Sequence, residues 1–250
     1  MITCNLQGGL GNQLFQIATT YSLAINNQDN ACFDLTRCNT PNQGKTSVHY
    51  SENVLKNVCN QNFSMFEYYF IERNFGYEEI QYKKNMCLSG YFQSEKYFKK
   101  NVDYIKSLFH TEYINPRRTE KPITSVHIRR GDYIKLSRVH GTLSLDYYNK
   151  SMSMINDSDF LFFSDDMEWV KKNFSGKNIF YSELNDDVLD FYYMSSCDNN
   201  IIANSSFSWW AAYLNKNDNK KIISPNHNNW FGPDGPKDTS DLIPKNWIQI

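Results

Sequence analysis

Short apolar runs alternate along the chain with stretches in which apolar residues recur at i, i+3 and i+4, and this alternation predicts strands and helices in turn. Ile2 to Leu6 is the first run. Gln7-Gly8-Gly9-Leu10-Gly11-Asn12-Gln13 breaks it, and Leu14, Phe15, Ile17, Ala18, Tyr21, Leu23 and Ala24 follow at helical spacing. Ala31 to Leu35 reads as a second strand, so the chain opens as a βαβ unit, the start of a Rossmann-like lobe. Thr36 to Asn62 is polar and Asn-rich, and Phe63 to Glu79 is aromatic without a period; neither takes an assignment. Cys87 to Phe92 reads as a strand ending at Gln93-Ser94-Glu95, where Ser94 is placed to cap a helix carrying Tyr97, Phe98, Val102, Ile105 and Leu108.

Asn115-Pro116-Arg117-Arg118 and Lys121-Pro122 separate this region from a second patterned one. Beyond them, strands are expected at Ile123 to Ile128, Phe160 to Phe163, Asn200 to Ala203 and Lys221 to Ser224. Helices are expected at Leu145 to Ile155, Met167 to Phe174, Val188 to Ser196 and Ser206 to Leu214. The expectation is two α/β lobes, residues 1–115 and 116–250, with sites at the C-terminal ends of the strands.

The chain has 250 residues and a 40% hydrophobic fraction, enough for one large core or two small ones. Its 26 Lys and Arg nearly balance 27 Asp and Glu, so no general field for nucleic acid exists and an anion site must be local. The aromatic share of 16% suits stacking against sugars, but core filling explains any single ring. Cys4, Cys32, Cys38, Cys59, Cys87 and Cys197 form no C-x-x-C pair and have no zinc spacing, so buried free thiols are expected. The N-terminus lacks the pattern of a signal peptide, and no apolar stretch approaches the roughly 18 residues of a membrane span. A cytoplasmic protein in a reducing compartment is the expectation.

The run Ser125-Val126-His127-Ile128-Arg129-Arg130-Gly131-Asp132-Tyr133 carries the densest chemistry. It brings two guanidiniums, an imidazole and a carboxylate to the end of a buried strand, and an Arg fork can donate to two phosphate oxygens at once. One Arg is expected in the crevice and the other turned into the fold. A surface ion pair with Asp132 is the plainer reading, and Arg130-Gly131-Asp132 as an adhesion tripeptide is a common chance match. Gly8-Gly9-Leu10-Gly11-Asn12-Gln13 is either a phosphate-cradling turn or a tight turn that needs positive φ; Leu14 stands where G-x-G-x-x-G needs its third glycine. In Ser164-Asp165-Asp166, helix capping is favoured over a metal pair. Neighbouring acids point opposite ways, so at most one faces a ligand, where it accepts from ribose or guanine. Asn204-Ser205-Ser206-Phe207-Ser208 offers a phosphate or ribose cradle at a helix start, or an ordinary N-cap. His127, His140, Glu95 and Asp132 are the candidate titratable groups.

Six stretches in order resemble the bacterial-type α-1,2-fucosyltransferases of glycosyltransferase family eleven. They are Gly8 to Gln16, Gly90 to Phe98, His127 to Tyr133, His140-Gly141 before Leu145-Asp146-Tyr147-Tyr148, Phe163 to Asp166, and Ala203 to Trp210. The resemblance implies a GT-B type α/β fold, with two Rossmann-like lobes facing a central cleft, an acceptor-side lobe first and a GDP-sugar lobe second. It implies inverting transfer of fucose from GDP-fucose to the 2-hydroxyl of a terminal galactose, without cofactor or metal. On this reading Arg129, Asp132 and His140 are catalytic. His127, Arg129, Arg130, Asp165, Asn204, Ser205, Ser206, Phe207, Gly9 and Asn12 hold the donor, and Gln93, Glu95 and Tyr133 hold the acceptor. The partners are GDP-fucose and a galactose-terminated oligosaccharide; a lipid-linked glycan would bring the protein to a membrane surface. Another nucleotide sugar, or a glycan-binding protein without catalysis, are the alternatives.

Overall fold

The computed structural model describes residues 1–39, 44–63 and 65–250; residues 40–43, inside the unassigned polar stretch, and residue 64 lie outside it. By its internal contacts the chain forms two compact units, Met1–Thr111 with Asp238–Pro244, and Glu112–Lys237 with Lys245–Ile250.

In the first unit, β1 (Ile2–Cys4) leads through the glycine turn into α1 (Leu10–Asn26). Gly8 takes φ +77°, the left-handed region that favours glycine, while Gly9 is extended at φ −71° and starts the helix without a side-chain cap. The strands β2 (Tyr68–Ile71) and β3 (Met86–Ser89) complete a parallel sheet in the order β1-β3-β2, and α2 (Val102–Leu108) follows. Ala31 to Leu35 is not a strand. Ala31 and Phe33 make only isolated parallel bridges, to Ile2 and Asn60, while Asp34 accepts from Thr36 N (3.1 Å) and starts a 3₁₀ turn at Leu35–Arg37. A side chain that bonds its own backbone competes with the ladder there. Ser94 does cap, accepting from Lys96 N at 3.3 Å, but the helix it starts is a single 3₁₀ turn, Glu95–Tyr97. Asp238–Pro244 is tied to this unit by an ion pair between Lys96 and Asp241 and by Tyr77 N donating to Asp241 at 3.2 Å.

Two cysteines correct the expectation of free thiols. Phe33 N donates to Cys59 O at 2.9 Å and sets the two segments side by side, so Cys32 and Cys59 form a disulfide. The argument for a reducing compartment loses its premise with them. Burial pushes the thiols of Cys4, Cys87 and Cys197 up, so these stay protonated.

The second unit alternates strands and helices from β4 to β8, with two helices after the first strand and a last strand at the end: β4 (Ile123–Ile128), α3 (Gly131–Lys135), α4 (Leu145–Ser153), β5 (Asp159–Ser164), α5 (Met167–Asn173), β6 (Ile179–Tyr181), α6 (Asp187–Ser196), β7 (Asn199–Ile201), α7 (Ser206–Leu214), β8 (Ile222–Ser224) and β9 (Ile248–Gln249). All six strands are parallel, in the order β6-β5-β4-β7-β8-β9. The chain winds from β4 outward to β6, returns, and lays β7 on the other side of β4. The β4/β7 boundary is therefore the switch point of the sheet, where ligands of open α/β folds bind beyond the strand carboxyl ends.

Rings fill the cores. Trp209, Trp210, Tyr148, Phe162, Phe163 and Phe191 are fully buried; Phe162 lies 4.8 Å from Phe174, and Trp209 stacks on Tyr213 at 4.6 Å. Phe162→Ala is expected to cost about 3 to 5 kcal/mol. Tyr69→Ser, on an exposed edge strand, should stay within about 0.5 kcal/mol. Chemical denaturation compares the two, and equal losses would contradict this placement of the core.

Candidate active site

The fully buried strand β4 delivers Arg129 and Arg130 to its carboxyl edge. Its register with β5 sets Ile128 opposite Ser164, so the next residues of each strand meet. Arg129 Nη2 donates to Asp132 Oδ1 at 2.6 Å, and its Nη1 lies 3.0 Å from Asp165 Oδ2. Asp165 Oδ1 also accepts from Arg130 N at 2.9 Å. Gly131 leaves Asp165 room to face Arg129. A Cβ on it would sit 2.8 Å from Asp165 Oδ2.

The two arginines have different surroundings. Arg130 Nε donates to Asp166 Oδ2 at 3.0 Å, and its guanidinium lies 4.0 Å above the Trp169 ring. Asp166 also caps α5 by accepting from Trp169 N at 3.2 Å. Arg130 is thereby built into the α5 start, while Arg129 stands between two carboxylates of the strand edge. The adjacent acids divide as their alternation requires, one capping a helix and the other facing Arg129.

His127 points to the same side of β4 as Arg129. It is buried, its Nδ1 has no partner, and its ring lies 5.8 Å from Phe207. Burial pushes it down to about 4; the Asp165 charge opposes this and the Arg129 charge adds to it. Tyr133 donates to Asn204 O at 3.3 Å, and His140 stacks on the Tyr133 ring at 4.6 Å and 13°. Burial pushes the Tyr133 phenol up to about 12 and the His140 imidazole down, which leaves that imidazole neutral at pH 7.

Across the switch point, Asn204 follows β7 and donates to Gly141 O (2.6 Å) and Trp230 O (2.9 Å), while its Oδ1 is buried without a partner. Ser205 is the N-cap residue of α7, but its side chain makes no capping bond. Ordinary capping therefore does not account for it. His127, Arg129, Arg130, Asp132, Tyr133, His140, Asp165, Asn204, Ser205, Ser206 and Phe207 are thus gathered at the carboxyl edges of β4, β5 and β7.

Gly9, Asn12, Gln93 and Glu95 belong to the first unit. Gln93 Nε2 donates to Asn12 Oδ1 at 2.7 Å, and Gln93 Oε1 is buried without a partner. Gln16, fully buried on α1, accepts from Gln7 N (3.0 Å) and donates to Gly90 O (3.0 Å), stitching the glycine turn to the end of β3. Glu95 pairs with Lys99 at 3.2 Å. Sequence reasoning missed Glu72, whose oxygens accept from Tyr91 N (2.6 Å) and Phe92 N (2.9 Å), and which burial pushes up to about 7. It holds Phe92 at φ +52°. Glu72 lies in the aromatic stretch that has no period, so no local pattern marks it.

The whole chain, residues 1–250, matches glycosyl transferase family 11. The chain belongs to that family. It is 32% identical to the O-antigen biosynthesis glycosyltransferase WbnK of Escherichia coli, over all of both chains. It is 29% identical to an alpha-1,2-colitosyltransferase of the same organism, over 100% of this chain and 99% of the relative. It is 25% identical to a galactoside 2-alpha-L-fucosyltransferase of Caenorhabditis elegans, over 87% of this chain and 70% of the relative. Among solved structures, the fucosyltransferase NodZ from Bradyrhizobium superposes with a TM-score of 0.50 at 13% identity, covering 84% of this chain and 92% of that one. The fold of this family 11 glycosyltransferase is of the GT-B type. Among the described residues no helix is long and apolar enough to cross a membrane, and no group of three His, Cys, Asp or Glu is placed to hold a metal ion.

The buried neutral His127 gives a pH prediction. An unfolded histidine titrates near 6.5 and this one near 4, so within that window the unfolded chain binds the extra proton and stability rises with pH. His127→Gln should flatten the slope between about pH 4 and 6.5. Denaturant midpoints across that range test it, and identical slopes in both proteins would contradict a neutral buried imidazole.

Proposed function

We propose that this family 11 enzyme transfers fucose from GDP-fucose to the 2-hydroxyl of a terminal galactose, with inversion and without a metal. The carrying observation is Arg129 at the carboxyl edge of β4, next to β7, the strand that leads into α7, whose N-cap residue makes no side-chain capping bond. A guanidinium and a helix N-terminus together suit a diphosphate. The galactoside acceptor and the 2-linkage come from the named activity of the nematode relative.

In the displacement, the acceptor oxygen bonds to the anomeric carbon as the bond from that carbon to the phosphate oxygen breaks. Arg129 and the first amides of α7 take the charge that develops on GDP. A diphosphate on Arg129 competes with Asp132 and Asp165 for the same donors, which frees the Asp132 carboxylate. Asp132 and the neutral imidazole of His140 are the groups of this unit that can take the acceptor's proton. In the first unit, Gln93 with its unpartnered oxygen, beside Asn12, suits sugar hydroxyls. The colitosyltransferase relative favours a second donor: colitose, which lacks the 3-hydroxyl of fucose.

GDP release from GDP-fucose with EDTA present should depend on lactose or N-acetyllactosamine, and NMR of the product should show an α-1,2 linkage. Release without the acceptor, or another linkage, would sink the proposal. Arg129→Ala should lose about 3 kcal/mol of transition-state stabilisation, roughly a hundredfold in rate, with the fold intact. Near-full activity would remove Arg129 from the mechanism.

A further inference from the structure

Asp165, the acid expected to accept from a ribose or a guanine, is committed to Arg129 and to the Arg130 amide. A second carboxylate stands at the same sheet edge, and nothing in the mechanism above uses it. Ser182 follows β6 and donates its backbone amide to Phe162 O at 2.8 Å, which fixes it at the carboxyl edge beside β5. Its hydroxyl donates to Asp190 Oδ1 at 2.5 Å, from the first turn of α6. Among the described residues no cation pairs with Asp190. Its charged neighbours are Asp186 and Asp187, and burial together with these pushes its carboxyl up to about 6.

A half-buried carboxylate without a counter-charge costs stability unless a ligand supplies donors. Its surroundings point to an aromatic one. The residue after it, Phe191, is fully buried and lies 5.4 Å from Phe207; Phe207, only partly buried, lies 5.8 Å from His127. His127 is more than nine-tenths buried and its Nδ1 has no partner. Phe191, Phe207 and the orphaned His127 nitrogen thus form one run of contacts, and Asp190 precedes Phe191 on the same helix, at the sheet edge where Ser182 holds it.

We propose that Asp190 determines nucleotide specificity, accepting N1–H and the 2-amino group of guanine, with the base lying on Phe207 and its acceptor edge toward His127. Among the common bases only guanine presents two adjacent donors of this geometry to one carboxylate. Adenine has no N1–H, uracil has one ring N–H, and hypoxanthine keeps N1–H but lacks the amino group. The proposal rests on the GDP-sugar reading above, and it names the group that selects the base.

Calorimetric titration of the wild type, Asp190→Ala and Asp190→Asn with GDP, IDP, ADP and UDP tests it. Wild type should prefer GDP over IDP about tenfold, with ADP and UDP weaker still. Asp190→Ala should bind GDP roughly tenfold to a hundredfold more weakly, with a GDP to IDP ratio near one. The near-isosteric Asp190→Asn, which keeps the side-chain volume if alanine disturbs α6, should lose most of the same preference. Wild type that fails to bind GDP would overturn the GDP-sugar reading itself. Wild type that binds GDP, with either folded variant keeping the wild-type preference over IDP, would overturn the role of Asp190 alone.

Discussion

Arg129 carries a positive charge out of a fully buried strand, and two carboxylates hold it where it emerges. Much of the second unit's geometry follows from that requirement. The parallel register of β4 with β5 brings Asp165 to it, and the short helix α3 turns Asp132 back onto it. A Cβ on the residue between, Gly131, would push against Asp165 Oδ2 and shift the carboxylate from Arg129. An anion site needs a fixed cation with an accessible face; pairing with side chains on neighbouring loops keeps the fork oriented before any ligand arrives.

The carboxylates at this edge do separate work. Asp166 caps a helix and holds Arg130 over Trp169, which makes that arginine part of the scaffold. Asp132 and Asp165 neutralise Arg129. Among the described residues Asp190 has a serine partner and like-charged neighbours, which is why the proposed base contact falls to it. Four acids of one sheet therefore differ in what they can do, because each has different donors within reach.

The second unit was far more legible in the sequence than the first. Ser206–Leu214 is a helix over the residues its pattern indicates, because its apolar run is buried from Ser208 to Leu214 and begins at a small-residue turn. The six residues of β4 likewise read as a buried strand and are one. Ala31 to Leu35 looked equally apolar, but the Asp34 side chain bonds the local backbone and only single bridges form. The short strands β6 and β9 went unread. The Cys32–Cys59 bond and the hold of Glu72 on the Tyr91 and Phe92 amides join residues 27 and about 20 positions apart, so only tertiary pairing reveals them. At the site, motif residues were visible as types at a strand end. Which carboxylate serves which arginine depended on register, and register is not a local property.

The central claim is that Arg129 receives the diphosphate of the donor. A crystal structure of the protein with GDP tests it most directly. The account predicts a β-phosphate oxygen about 2.7 to 2.9 Å from the Arg129 guanidinium, with the pair to Asp132 opened and Arg130 still on Trp169. A bound GDP whose phosphates lie elsewhere, with Arg129 still held by both Asp132 and Asp165, would contradict it.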